Sequence, residues 1–240
     1  MNSNKTETYA SRLRWLRKKI NSSKKERDID VKLVINWLEQ KRRNSKVQVE
    51  LVPISKLKQW EYNSKEGIVR NKKGKDHFFT VEGVSIKRAA GREVLEWDQP
   101  IFNQKEGGIL VILCQEIGNE IKFLLHAKFE PGNINKVQLA PTIQATYSNL
   151  KQHHLGKKPR FSEYWNHKKT KIIYEASHNE EGGRFWKKSN INALVLVNKD
   201  EKIPLKENDD YILVTLKEAK ALMLHDNIVN PFVKTILSPL

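Results

Sequence analysis

The chain of 240 residues has one cysteine, Cys114, and that scarcity removes two classes of chemistry. A single thiol cannot form an internal disulfide, and it cannot supply a cysteine-rich metal site. Cys114 lies within an apolar run at 109–115, where a thiol is usually buried and unreactive. We therefore expect Cys114 to be a core residue.

Long hydrophobic runs are also missing. No apolar segment is long enough to cross a bilayer, and no apolar stretch near the N-terminus resembles a secretion signal. Together with the missing disulfides, this predicts a soluble, cytoplasmic protein with no membrane partner. None of the seven histidines stands at a recognisable ligand spacing, so no metal is expected.

Acidic residues are scarce, because 28 Asp and Glu stand against 44 Lys and Arg, which gives a net charge of +16. Half of this excess lies between Arg12 and Arg43, where 12 basic residues face 4 acidic ones. A positive field attracts nucleic acid, but no known nucleic-acid-binding motif is present. We interpret most of these lysines as solvated surface and expect no nucleic-acid partner; a basic nucleic-acid-binding protein is the less favoured alternative.

The hydrophobic pattern predicts an α+β fold. Two N-terminal helices are expected, the first with Leu13, Leu16 and Ile20 at helical spacing and the second capped by Asp30. Strands are expected at 47–52, 77–83, 108–115, 121–128, 136–139, 171–175, 191–197 and 211–214. The run at 108–115 is almost wholly apolar, which is typical of a strand buried on both faces.

Further expectations concern the connections between these elements. Residues 84–88 are expected to form the hairpin partner of the strand at 77–83, and the pattern from 147 to 164 is helical with a loop at 156–159. Thr215 is expected to cap a helix over 216–224. The order of elements predicts a mixed sheet packed between helices. We divide the chain into a basic helical extension at 1–44, interpreted as a dimer contact, and a module at 45–240.

Six groups of polar, glycine-rich and proline-rich motifs follow one another along this module. They are HFFTVEG at 77–83, EWDQP at 96–100, EPG at 130–132, PTIQ at 141–144 with YSN at 147–149, EEGGRF at 180–185 followed by Asn190, and DNIVN at 226–230. In this order the motifs resemble the nucleoside-diphosphate-hexose (NDP-hexose) 2,3-dehydratases of deoxysugar biosynthesis. The resemblance covers about residues 45–240.

The resemblance implies a Nudix-like module. The chain lacks the glutamate-rich metal box of Nudix pyrophosphohydrolases, which argues against that activity. Members of the family usually contain two modules in tandem, whereas this sequence shows one. A homodimer would supply a second module. A catalytically silent module that only binds a nucleotide sugar is the alternative.

The resemblance also implies a substrate, an NDP-4-keto-6-deoxyhexose, with a dTDP sugar expected. The C4 ketone acidifies the C3 proton, so a base can remove it while a donor stabilises the O4 enolate, after which the C2 hydroxyl leaves. The product relaxes to a 3,4-diketo-2,6-dideoxy sugar, the expected substrate of a downstream 3-ketoreductase. No cofactor is expected, because the substrate's own ketone accepts the electron pair.

The candidate catalytic residues are Glu130, Tyr147 and Glu180. Either glutamate is a candidate for the C3 base, and Tyr147 is a candidate donor to O4 or to the departing C2 oxygen. Three structural roles stand beside these. Glu130 would accept backbone amides in a turn, Glu180 would pair with Arg184 four residues later, and Tyr147 would be a half-buried tyrosine.

Substrate-binding candidates comprise neutral donors for the sugar, cations for the diphosphate, a glycine pair that permits close approach, and an aromatic residue with an amide for the nucleobase. They are Gln144, Ser148, Asn149 and Asn190; Lys128, Arg184 and Lys187; Gly182 and Gly183; and Trp97 and Gln99. A helix start near 147–149 would add amide donors, and Ser148 or Asn149 would alternatively cap that helix.

Overall fold

The computed structural model describes residues 7–22, 31–74, 78–88, 90–91, 93–151 and 157–240. Its contacts divide the chain into two compact units. Unit 1 comprises Met1–Val47, Gly108–Ala176 and Ile191–Leu240, and unit 2 comprises Gln48–Gly107 and Ser177–Asn190. The helix cap expected at Asp30 and the histidines at 77, 153 and 154 lie outside the described residues.

Unit 2 contains a four-stranded antiparallel sheet. Its strands, in chain order and in sheet order, are β1 (Trp60–Asn63), β2 (Ile68–Asn71), β3 (Thr80–Ile86) and β4 (Trp97–Asn103). Ring centroids of Trp60 and Phe79 lie 4.6 Å apart, those of Phe79 and Phe102 5.1 Å, and those of Phe102 and Phe185 5.5 Å. This row of aromatic contacts joins the sheet to the segment Ser177–Asn190.

Two strand predictions in this region are wrong. Residues 47–52 form no strand, and Val49, Leu51 and Val52 are exposed, because the alternating pattern there has no hydrogen-bonded neighbour. The turn expected at Gly83 is also absent. β3 runs straight through Gly83, which pairs with Pro100, so the partner of β3 is β4 rather than residues 84–88.

Unit 1 is built on a mixed sheet. Its strands are β5 (Gly108–Ile117), β6 (Glu120–Phe129), β7 (Val137–Ala140), β8 (Ile143–Thr146), β9 (Thr170–Asn179), β10 (Ser189–Val197) and β11 (Tyr211–Thr215). The order is β11-β6-β5-β10-β9, with β7 paired to β6 and β8 to β5. β5 and β10 are parallel, and β5 and β6 form the expected antiparallel hairpin. The first eight residues of β5 are all buried, as the apolar run predicts.

Helices cover one face of this sheet, and short helical turns cover the other. The first face packs against α1 (Tyr9–Ser22), α2 (Lys32–Asn44), α4 (Leu216–Leu222) and α5 (Pro231–Leu237), whose buried residues include Leu16, Leu38, Leu222 and Ile236. The second face packs against Phe161, Tyr164 and Ile203 and against Leu150 of α3 (Tyr147–Leu150). The predicted α+β fold, with a mixed sheet packed between helices, is confirmed.

Local chemistry explains the ends of several elements. Thr215 and Glu218 form a reciprocal capping box, as expected at the start of α4, which ends at Leu222 rather than at 224. A Cβ atom at Gly108 would lie 2.5 Å from the carbonyl oxygen of Ala145, so only glycine permits β5 and β8 to approach there. Cys114 is fully buried, as predicted, and burial raises the pKa of its thiol.

The described residues on either side of the loop expected at 156–159 form less helix than the pattern over 147–164 predicts. α3 ends at Leu150, and a 3-10 turn occupies Ser162–Tyr164 after Phe161 adopts a left-handed φ of 65°. A left-handed residue interrupts the helical hydrogen-bond ladder, and the apolar spacing alone does not reveal it.

The N-terminal helices are part of unit 1. Leu16 of α1 and Leu38 of α2 are completely buried in its core, so the apolar faces of both helices are used within the chain. The division into an extension at 1–44 and a module at 45–240 stays a prediction. No helix in the described part of the chain is long and apolar enough to cross a membrane.

Candidate functional sites

The loop between β9 and β10 positions most of the predicted residues of unit 2. Its turn is closed by backbone bonds from Arg184 and Phe185 to the carbonyl of Glu181, at 2.8 and 2.9 Å. The Phe102 amide donates to the Arg184 carbonyl and the Trp186 amide to the Phe102 carbonyl, both at 2.8 Å. The loop is thereby fixed to β4 by backbone hydrogen bonds rather than by side chains alone.

This loop and the ends of β3 and β4 enclose a cavity of about 370 Å³. The cavity combines an apolar wall with two ammonium groups, one carboxylate and the backbone of two consecutive glycines. Its lining residues are Val84, Ile86, Trp97, Gln99, Ile101, Asn179, Glu180, Gly182, Gly183, Phe185, Trp186, Lys187 and Lys188. A concave apolar site with few polar groups is the usual form of a small-ligand site.

Glu180 provides the one carboxylate among the described residues of this wall, and its side chain is 16% exposed. Its Oε2 atom accepts a hydrogen bond from Nδ2 of Asn190 at 2.8 Å and lies 2.7 Å from Nζ of Lys188. Its Oε1 atom accepts no hydrogen bond from the described residues. The expected pairing with Arg184 does not form; Lys188 takes that place because the Glu180 amide donates to the Lys188 carbonyl across the loop, at 3.0 Å.

The predicted nucleobase residues are in direct contact. Nε1 of Trp97 donates to Oε1 of Gln99 at 3.0 Å, and Nε2 of Gln99 donates to the carbonyl of Gly183 at 2.8 Å. This chain of bonds connects β4 to the Gly182–Gly183 turn. A Cβ at either glycine would meet nothing within 4 Å, so the space beside the turn is open.

The two predicted diphosphate-binding cations of the β9–β10 loop, Arg184 and Lys187, differ in their position relative to the cavity. Lys187 lines the cavity, its φ of 49° is left-handed, and its Nζ lies 4.9 Å from the centre of the Trp186 ring. Arg184 is exposed and is not among the lining residues. The structure therefore brings Lys187, but not Arg184, to the cavity.

A second polar cluster lies in unit 1 around Glu130, which directly follows β6. Its Oε1 accepts from Nε2 of Gln144 at 2.7 Å and from Nζ of Lys128 at 3.1 Å, and its Oε2 accepts from Nδ2 of Asn230 at 2.9 Å. Three side-chain donors thus occupy the carboxylate, whereas backbone amides were the expected structural alternative. Oε1 of Gln144 is buried and without a hydrogen-bond partner in the described structure.

The other donors predicted in unit 1 lie on α3. Tyr147 is its first residue and is 39% exposed. Thr146, not Ser148 or Asn149, caps the helix, accepting the Asn149 amide at 3.3 Å, and Ser148 bonds the Thr146 hydroxyl at 3.0 Å. The cap occupies the Asn149 amide, and the use of other amides at the start of α3 for substrate binding stays a prediction.

Sequence reasoning missed three residues of these clusters. Lys188 has no motif signal, because its pairing with Glu180 depends on the register of the loop. Asn230 belongs to the DNIVN motif but was assigned no role. His126 stacks on Tyr211 with ring centroids 4.3 Å apart, and burial, followed by the charge of Lys128, lowers its pKa to about 4.

Among the described residues no group of three or more His, Cys, Asp or Glu side chains is arranged to bind a metal ion.

Comparison with known proteins gives one family. The sequence profile of the NDP-hexose 2,3-dehydratases matches residues 31–240. Three curated relatives share the name dTDP-4-dehydro-6-deoxy-α-D-glucopyranose 2,3-dehydratase. The protein of Saccharopolyspora spinosa is 36% identical over 84% of this chain and 40% of its own length, and that of Amycolatopsis orientalis is 35% identical over 84% and 43%.

The third relative, from Streptomyces violaceoruber, is 31% identical over 85% of this chain and 45% of its own length. This chain therefore spans less than half the length of the curated relatives it matches. Among solved structures, an ADP compounds hydrolase aligns over 81% of this chain and 94% of its own, with a TM-score of 0.41 and 12% identity. The Ap4A hydrolase of C. elegans aligns over 55% of this chain and 92% of its own, with a TM-score of 0.32 and 12% identity. At these scores neither hydrolase bears on the function.

Proposed function

Because this chain belongs to the NDP-hexose 2,3-dehydratase family, we propose that it removes water across C2 and C3 of an NDP-4-keto-6-deoxyhexose. The names of the three relatives favour a thymidine diphosphate as the nucleotide. The product is a 3,4-diketo-2,6-dideoxy sugar of deoxysugar biosynthesis. No cofactor is required, since the C4 ketone accepts the electron pair released from C3.

One observation supports this activity above the others: Glu180 presents, at the wall of the unit 2 cavity, a carboxylate oxygen to which no described residue donates a hydrogen bond. A general base must keep a lone pair available for the proton that it removes. Both oxygens of Glu130 accept hydrogen bonds from protein side chains instead. Glu180 is therefore the C3 base in this proposal, and Glu130 is a structural carboxylate of unit 1.

The remaining candidates divide between the two units. In unit 2, Trp97 and Gln99 bind the nucleobase, Lys187 with the Gly182–Gly183 turn binds the diphosphate, and Asn190 orients Glu180. In unit 1, Tyr147, Gln144, Ser148, Asn149 and Lys128 stay predicted substrate residues. Arg184 is the least supported of the predicted cations, because it is absent from the cavity wall.

The alternative function is that of a module that binds a nucleotide sugar without turning it over. A single experiment separates the two. The purified protein is incubated with dTDP-4-keto-6-deoxyglucose, with and without a 3-ketoreductase and its reductant to trap the unstable product, and the sugar nucleotide is followed by mass spectrometry.

Loss of one water from the substrate supports the dehydratase. Binding of dTDP by calorimetry with no change in substrate mass supports the silent module. Failure to bind any sugar nucleotide, together with salt-sensitive binding to DNA, supports the alternative of a basic nucleic-acid-binding protein. The cytoplasmic location and the homodimer also stay proposals, and the mass of the assembly by native mass spectrometry or light scattering tests the latter.

A further inference from the structure

Lys188 is a nearly buried ammonium on the wall of the unit 2 cavity. Its side chain is 9% exposed, and its Nζ lies 2.7 Å from Oε2 of Glu180 and 2.6 Å from Oε1 of Gln104. The ring of Phe185 lies beneath it, with its centre 4.8 Å from Nζ. A lysine is rarely buried to this extent unless its charge is paired, and here one carboxylate and one amide oxygen provide the pairing.

The donor count of this group leaves one proton without a hydrogen-bond acceptor. An ammonium has three N–H donors. Gln104 accepts one of them and Oε2 of Glu180 forms an ion pair with the same group, whereas no third oxygen atom of the described residues lies within hydrogen-bond distance of Nζ. Since Lys188 lines the cavity, its remaining donor is available to an oxygen atom of a ligand there.

The neighbouring Lys187 differs from Lys188 in its exposure and in the contacts of its ammonium group. Lys187 is exposed, and the recorded contact of its Nζ is with the Trp186 ring. An exposed, flexible ammonium suits a diphosphate, whose charge is constant throughout the reaction. A buried ammonium held by one carboxylate and one amide oxygen suits a charge that appears only in the transition state, because the ammonium is already oriented when that charge develops.

We propose that Lys188 is a catalytic residue that donates its third N–H to the C4 oxygen of the substrate as the enolate forms. This role rests on the proposed function, and it places on Lys188 the enolate donation for which the sequence favoured Tyr147. The same ammonium lies 2.7 Å from Oε2 of Glu180. Base and donor therefore line the same cavity, where Glu180 acts on the C3 proton and Lys188 on the C4 oxygen.

The step balances without any further reactant. Glu180 takes the C3 proton, the C3–H electron pair becomes the C3–C4 double bond, and the carbonyl pair moves to O4, where Lys188 stabilises it by hydrogen bonding. The carbonyl then re-forms, a C2–C3 double bond is made, and the C2 hydroxyl leaves as water with the proton returned by Glu180. Lys188 keeps its own protons throughout.

The test uses the full chain with Lys188→Cys, followed by alkylation with 2-bromoethylamine, which rebuilds a lysine-like ammonium. Cys114 is the only native cysteine and is completely buried, so the introduced thiol is the one that reacts. Lys65→Cys, at an exposed lysine of the same unit, receives the same treatment as the control. Lys188→Arg retains a cation beside Glu180 and serves as a second variant that protects the fold.

The measurements are kcat for dehydration, the Kd of dTDP and the kinetic isotope effect of C3-deuterated substrate. Lys188→Cys is expected to lower kcat about 100- to 1,000-fold, the usual loss for one oxyanion donor, while the Kd of dTDP changes less than about threefold. The isotope effect should rise, because C3–H cleavage becomes slower relative to the other steps. Alkylation should restore most of kcat.

The Lys188→Arg variant should keep dTDP binding and still lose more than about tenfold in kcat, because a planar guanidinium cannot reproduce the position of the third donor. Turnover within about threefold of the wild-type protein in both Lys188 variants would overturn the proposal while the dehydratase function stands. A parallel loss of kcat and dTDP affinity with an unchanged isotope effect would also overturn it, since that is the result of a purely structural role. A wild-type protein with no turnover would instead refute the proposed function itself.

Discussion

At the residue scale, the two carboxylates of the motifs differ in how their oxygens are occupied. Glu130 accepts hydrogen bonds at both oxygens, whereas among the described residues Glu180 has partners at Oε2 and none at Oε1. Sequence motifs identify both residues without ranking them, because a motif gives the residue type but not the number of donors that the fold aims at it. The ranking comes from geometry.

Glu180→Gln is expected to lower kcat by at least about 100-fold, because an amide cannot take the C3 proton. The Kd of dTDP should change little, since the variant keeps the shape of the cavity wall. Turnover and calorimetric binding check this. Glu181→Gln is the matched control, an exposed neighbour that does not line the cavity, and it should keep full activity. An active Glu180→Gln protein would show that the base lies elsewhere.

His126 predicts a pH dependence of stability. Its folded pKa is lowered to about 4, chiefly by burial, so between about pH 6.5 and 4 the unfolded chain binds a proton that the folded chain does not. The contribution of His126 to the free energy of unfolding is therefore complete above about pH 6.5. It falls as the pH is lowered, by about 2 kcal/mol at pH 5. Urea unfolding of the wild type and of His126→Gln at pH 7.5 and 5 measures it.

Between pH 7.5 and 5, the free energy of unfolding of His126→Gln should fall by about 2 kcal/mol less than that of the wild type. His225→Gln, at an exposed histidine of the same unit, should behave like the wild type. An equal pH dependence in all three proteins would mean that His126 is accessible to protons in the folded state.

At the scale of elements, the sequence predicts what local pattern determines. The β5–β6 hairpin, the buried run of β5 and the capping box of α4 all depend on adjacent residues, and all are confirmed. The strand at 47–52 and the turn at Gly83 fail because pairing partners are chosen by tertiary contacts. The Glu180–Lys188 pair cannot be predicted from local sequence either, because it forms only when the loop between β9 and β10 closes.

Glu130 joins three elements, because its donors come from β6, β8 and the residue that caps α5. Glu130→Gln leaves at least one of these donors facing another donor, and we expect a loss of about 1–3 kcal/mol in the free energy of unfolding. Urea unfolding with an unchanged slope checks it. Turnover should persist in the folded fraction.

Glu120→Gln provides a matched control at the other end of β6. Glu120 also lies 3.1 Å from a lysine two positions away, Lys122, but no described side chain of another element donates to it, so the loss should stay within about 0.5 kcal/mol. Equal losses of unfolding free energy in the two variants would contradict the proposal that Glu130 stabilises the fold by hydrogen bonds to three elements. A stable but inactive Glu130→Gln protein would move the base to Glu130.

At the scale of the whole molecule, much of the charge of the N-terminal helices is used inside the chain. Arg12 donates to the carbonyl of Ile172, Arg17 to that of Pro239, and Arg42 to those of Val137 and Asn227. Guanidinium groups that bind carbonyl oxygens near the ends of other elements stabilise unit 1. This use of basic residues weakens the nucleic-acid interpretation of the net charge, which composition alone leaves open.

The central claim is that the chain dehydrates its sugar through an enol formed at C3. The most direct measurement is the mass and the proton spectrum of the product formed from dTDP-4-keto-6-deoxyglucose in deuterated water. The account predicts loss of one water with one deuterium entering at C2, as the enol relaxes to the 3,4-diketone. Unchanged substrate in the presence of nucleotide binding, or a product without deuterium at C2, would contradict it.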